Sequence, residues 1–114
     1  MEDKEDKLLF VEYIGKSIIK HQFLYYKNNS LDDEELILII KSVINGISEQ
    51  LIDLGFRKTE VNKVVNTLIQ FCKYNYLVEW MKNIQKDENI DEVKNEGEKY
   101  FDYLFKYGKH PKGY

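Results

Sequence analysis

The 114-residue chain contains no alanine, one arginine (Arg57), one proline (Pro111) and one cysteine (Cys72). Each scarcity excludes something. A lone cysteine cannot close an internal disulfide, so the fold is held without cross-links and a reducing cytoplasm is the expected setting. No apolar run nears the roughly 18–20 residues that cross a bilayer, so no membrane partner is expected. The first residues, MEDKEDK, lack the basic start and apolar middle of a signal peptide. Two histidines and one cysteine cannot form a zinc site without carboxylates, and no ligand spacing suggests one. There is no glycine-rich phosphate loop, and no nucleophile with a base beside it. The expectation is a protein without enzymatic activity, metal or cofactor.

What is present describes a globular chain, with 43% hydrophobic and 32% charged residues. The length suits one domain, read as 1–107 followed by a short basic tail at 108–114. Isoleucine, asparagine, lysine and tyrosine stand in for the missing alanine and arginine. Their codons are AT-rich, which points to a low-GC genome, bacterial or that of a phage or plasmid. The same bias explains a helical protein without the best helix former. A formal net charge of −3 argues against broad nucleic-acid binding. The charge is nonetheless segregated. Acid collects at 1–7, 32–35 and 87–98, whereas the C-terminal KYGKHPKGY carries Lys106, Lys109 and Lys112 and no acid.

Apolar residues recur at three and four positions and never alternate for long, which predicts an all-α, compact antiparallel bundle of four to five helices. The first helix is expected over about 3–27, with Val11, Ile14, Ile18, His21 and Tyr25 inward and Leu8, Phe10 and Leu24 on the flanks. Ser30 is the expected N-cap of the second helix, with Asp33 at its third position. LILII (36–40) makes that helix the most buried, and Val43, Ile44, Ile47, Leu51 and Leu54 continue its inner face. Gly55 should close it in the left-handed conformation, with Phe56 packing back. A third helix capped by Thr59 runs inward through Val61, Val64, Val65, Leu68, Phe71 and Cys72. Its phase then calls for apolar residues near 75 and 79, where Asn75 and Glu79 stand. KYNY (73–76) is therefore expected to be a kink or a join, with Leu77, Trp80, Met81 and Ile84 on a rotated stripe. The last helix, about 91–107, turns Val93, Gly97, Tyr100, Phe101 and Leu104 inward, and Gly97 invites close approach.

One segment imitates a calcium loop. DENIDEVKNEGE (87–98) has acidic or amide residues at its first, third, fifth and ninth positions and glutamate at its twelfth. A working loop needs glycine sixth, where Glu92 stands, and an aliphatic residue eighth, where Lys94 stands. Val93, Gly97 and Phe101 instead run at helical spacing through it, with Asn89 or Asp91 as cap. The segment reads as an acidic helical face. His21 reads as a partly buried core histidine and not as a phospho-acceptor, and Cys72 as a small buried hydrophobe. Of nine tyrosines, six phenylalanines and one tryptophan, eleven cluster at 23–26, 74–80 and 100–107. The last cluster covers more than one helical face, and reads either as a partner surface or as tyrosine that AT-rich codons load on the exterior.

In size, bundle layout and low-GC composition the chain is similar to the immunity proteins of small bacteriocins and to phage-encoded inhibitors. That resemblance implies a stoichiometric binder of a protein partner. On this reading the acids Asp87, Glu88, Asp91, Glu92 and Glu96 steer a basic or nucleic-acid-binding protein, and Tyr100, Tyr103, Phe105 and Tyr107 anchor it. The alternative is a nucleic-acid-associated regulator using Lys106, Lys109, His110 and Lys112 of a tail that frays, orders on a partner or packs back on the bundle through Tyr114. A third is a ligand cavity near His21 and Cys72. A homodimer is also compatible with the exposed aromatics. Calcium titration should leave the far-UV circular dichroism and the thermal midpoint unchanged; a micromolar response in either would restore the metal-loop reading.

Overall fold

The computed structural model describes residues 4–82 and 84–111, which form four helices and, among the described residues, no strand. They are α1 (Lys4–Asn29), α2 (Asp33–Asp53), α3 (Lys58–Met81) and α4 (Ile90–Tyr107). Asp32 is the extended N-cap residue of α2, and Ser30 instead ends α1 with φ of 50°. The cap expected at Ser30 thus moves two residues on, because NNS is consumed in turning the chain. α2 closes on Gly55 at φ 90°. The Phe56 N–H donates to Leu51 O (3.1 Å) and the Gly55 N–H to Ile52 O (2.9 Å), the paired bonds that satisfy a helix C-terminus. α3 begins at Lys58, one residue before the expected Thr59 cap, and Glu60 Oε1 accepts the Arg57 N–H at 3.0 Å. Asn89 Oδ1 caps α4, accepting from the N–H groups of Asp91 (3.0 Å) and Glu92 (3.4 Å). The stretch resembling a calcium loop is therefore mostly helix, and no metal-holding cluster occurs among the described residues.

Helices α1, α2 and α3 pack mutually, and α4 lies against α2 and α3. The core joins Ile19 and Phe23 of α1 to Leu36, Ile37, Ile40, Ile44 and Leu51 of α2. Val61, Val64, Leu68, Cys72 and Tyr76 of α3 and Tyr100, Phe101 and Leu104 of α4 complete it. LILII is not apolar-enclosed throughout, since Leu38 faces solvent, as does Leu54 at the helix end. α3 is one helix with no join at 73–76. Its buried stripe rotates because its first half faces α1 and α2, while Leu77 and Trp80 turn toward α4.

The phase expected for α1 holds for Val11 and the flanking Leu8, which pack against the core, and fails beyond them. Its buried residues are Gly15, Ile19 and Phe23, whereas Ile14, Ile18, His21 and Tyr25 face outward. α1 is apolar on both sides, so periodicity alone could not choose. The choice is made at Gly15, where a Cβ would lie 2.9 Å from Leu68 and 3.1 Å from Ile47. A side chain here would have to displace the terminal methyls of Leu68 and Ile47, so glycine lets α1 settle on both neighbouring helices without repacking them.

Gly97 plays the same part in α4, where a Cβ would lie 2.7 Å from the Trp80 ring. Gly97→Ala should destabilise the protein by about 1–3 kcal/mol in urea denaturation, because overpacking against a ring outweighs the gain in helix propensity. Gly46, within α2, has open space around its Cβ position. Gly46→Ala should stabilise by about 0.5–1 kcal/mol, so the two substitutions should differ in sign.

Candidate partner-binding site

The upper end of the bundle is organised by one carboxylate. Asp33, in the first turn of α2, accepts the hydroxyl protons of Tyr26 from α1 (2.5 Å) and Tyr76 from α3 (3.1 Å). Burial first, and then Asp33, push both phenols well above their ordinary value, so they remain protonated donors. Trp80, one turn on from Tyr76, donates its indole N–H to Val93 O at 3.1 Å. Its ring lies between those of Tyr76 and Tyr100, with centroids 6.2 and 5.3 Å away.

Beside this cluster lies a cavity of about 690 Å³, open to solvent, bounded by the end of α1, the start of α2, α3 and the start of α4. Tyr26, Leu31, Tyr76, Trp80, Ile84 and Val93 supply apolar wall. Asp33, Glu79, Glu88 and Glu96 supply carboxylates, against one lining cation, Lys27. Glu79 also holds Lys82 at 2.8 Å. Lys82 in turn holds the Lys27 ammonium below its ordinary value, because two cations crowd one acid.

Of the residues predicted from sequence, Glu88 and Glu96 border this cavity. Asp87, Asp91 and Glu92 are exposed beside them, on the approach to α4 and in its first turn. Glu92, Glu96, Tyr103 and Tyr107 recur at helical spacing and share one side of α4, with the Tyr103 and Tyr107 rings 4.5 Å apart. Tyr100 is a correction: it is buried against Trp80 and bonded to His110, so it belongs to the core. Phe105 is half-buried on the core under the Lys41 ammonium, on another side of the helix from Tyr103.

The described part of the tail packs back on the bundle through His110, while Tyr114, the contact expected from sequence, lies outside the described residues. Residues 108–111 fold back instead of fraying. His110 Nε2–H donates to Asp32 Oδ1 (3.1 Å), and its backbone N–H to Glu34 Oε1 (2.8 Å). Its Nδ1 forms a short hydrogen bond with the Tyr100 hydroxyl. Lys106 and Lys109 are exposed beside this acid-bound histidine, and Lys112 lies outside the described residues. His21 is exposed and not partly buried, whereas Cys72 is fully buried with its thiol pushed up to about 12 by desolvation. Neither residue borders the cavity expected near them.

Sequence reading missed Asp33, Glu79, Tyr26, Tyr76 and Trp80 as site residues. The available signal was Glu79, a charge where the phase of α3 called for an apolar residue. No helix among the described residues is long and apolar enough to cross a membrane. Comparison with protein-family models, curated proteins and solved structures finds no match to the chain.

Two pH limits follow. The hydrogen bond from His110 holds Asp32 below its ordinary 3.8, so its contribution to stability is present above that value. It is lost as pH falls through the lower folded value. Asp32→Asn should therefore cost stability at neutral pH, and the difference from wild type should shrink below about pH 4. Tyr26 and Tyr76 are shifted the other way, so their contribution is complete below about pH 10 and is lost above it. Tyr76→Phe should flatten the alkaline limb of a stability-against-pH curve and leave the acid limb unchanged.

Proposed function

We propose that the protein is a small non-catalytic binding protein that captures a basic segment of a protein partner and so modulates, most simply inhibits, it. The observation that carries this reading is the cavity at the upper end of the bundle. Its apolar wall suits the alkyl stem of a lysine or arginine, and its carboxylates suit the cationic head. Glu79 is the natural seat for that head, because the incoming cation would replace Lys82, an exchange of one exposed ion pair for another. Asp87, Asp91 and Glu92 extend the negative field outward and would speed encounter with a basic partner. Tyr103 and Tyr107, in line with Glu96, would add aromatic contact. A nucleic-acid-binding protein, whose phosphate site the acids imitate, is the partner class this chemistry fits. The AT-rich residue choice suits a phage, a plasmid or a low-GC bacterial host as the source.

The nucleic-acid alternative draws no comparable support. His110 is engaged by Asp32 and Glu34, which places acid where a phosphate would have to approach.

Titration with a lysine- and arginine-rich peptide, followed by Trp80 fluorescence, tests the proposal. Binding should weaken as salt rises. A Glu79→Gln, Glu88→Gln, Glu96→Gln variant should bind at least tenfold more weakly, about 1.4 kcal/mol. Asp53→Asn, at the far end of α2, should bind as wild type. Equal affinity of the triple variant and wild type would overturn the cavity as the site.

A further inference from the structure

We infer that the chain associates with a second copy of itself through the outward face of α1, the two α1 helices running antiparallel about a two-fold axis near Ser17. The primary observation is the face opposite the core. Phe10, Tyr13, Ile14, Ile18, Leu24 and Tyr25 fall within one side of α1, and each is between 36% and 67% exposed. A surface helix normally turns charge to solvent on this side; one that is apolar all round belongs inside a larger structure. In this bundle α4 packs on α2 and α3, so that among the described residues no helix covers this side of α1.

The size fits. The six residues expose roughly 650 Å², so two copies could bury up to roughly 1,300 Å², the low end of specific stable interfaces. Polarity fits as well. Ser17, at the middle of the strip, already donates its hydroxyl to Tyr13 O at 3.0 Å, so it can be covered without losing a partner, and the exposed His21 beside it would meet Tyr13 of the second copy. Lys20 lies at the rim, where its ammonium stays in water while its stem covers apolar surface.

Charge selects both the occupant and its direction. Residues 1–12 contain five acids and two lysines, whereas 13–29 contain three lysines and no acid. The helix is therefore acidic at its start and basic over the rest. A parallel copy would set like on like. An antiparallel copy sets the acidic part of each helix against the basic part of the other, and brings Phe10 opposite Tyr25. A second copy is thus complementary to this face in shape of pattern and in charge, which an isologous contact requires.

Sedimentation equilibrium of the purified chain should give a two-chain mass at micromolar concentration. Tyr13→Lys and Leu24→Lys, both at exposed positions, should each weaken association at least tenfold with unchanged far-UV circular dichroism. Ser17→Cys should cross-link to the two-chain mass on mild oxidation, while Phe10→Cys should not, since antiparallel pairing separates the two Phe10 positions. A single-chain mass at every concentration would overturn the proposal, as would a folded lysine variant that keeps the wild-type affinity. Efficient cross-linking through Phe10→Cys would overturn the antiparallel direction. Should one lysine variant fail to fold, the other and the cysteine pair decide the matter.

Discussion

The upper half of the molecule depends on the Asp33 carboxylate accepting two phenols. Tyr26 and Tyr76 come from different helices, separated by fifty residues of chain, and Tyr76, which is buried, would lose much by keeping its hydroxyl there without an acceptor. One anion therefore fixes the relative height of α1, α2 and α3. The consequence for the site is direct. Tyr76 positions Trp80 from one side, Trp80 is pinned to the backbone of α4 through Val93, and the cavity wall is the surface these rings present. A charge that elsewhere would be an ordinary first-turn acid at a helix N-terminus becomes the point from which the site is built.

The helices themselves were legible in the sequence because their boundaries are written in local chemistry. Gly55, Asn89 and Gly97 each do what a residue of that type does at a helix end or a close contact. The faces were legible only where a helix has one apolar side. α4 has one, and its inward residues were foreseen from Val93 to Leu104. α1 has two, and the choice between them rests on Leu68 and Ile47 meeting Gly15, a contact between residues far apart in sequence. The same limit hid the site. Asp33 reads locally as a capping acid, and nothing nearby in sequence discloses the two tyrosines that converge on it. Glu79 was visible as an interruption of a pattern; its meaning as a cavity wall needed α4 in place.

Charge on this chain is arranged by region more than by pair. The ion pairs that form are exposed and individually worth little. The larger effect is positional: acids gather where α2 and α4 begin, and lysines where α1 ends. Helix N-termini favour the acids already present there, so the negative end of the molecule costs less repulsion than its composition suggests. A protein assembled in this way can present a strong local field while its net charge remains only −3.

The return of the tail to α2 has a kinetic side. His110 meets Asp32 and Glu34 across 78 and 76 residues of intervening chain, whereas most of the bundle forms between sequence neighbours. Loop closure over that distance is entropically costly and comes after local helix pairing. During synthesis α1, α2 and α3 can associate as they emerge, but the start of α2 stays unclasped until residue 110 has been made.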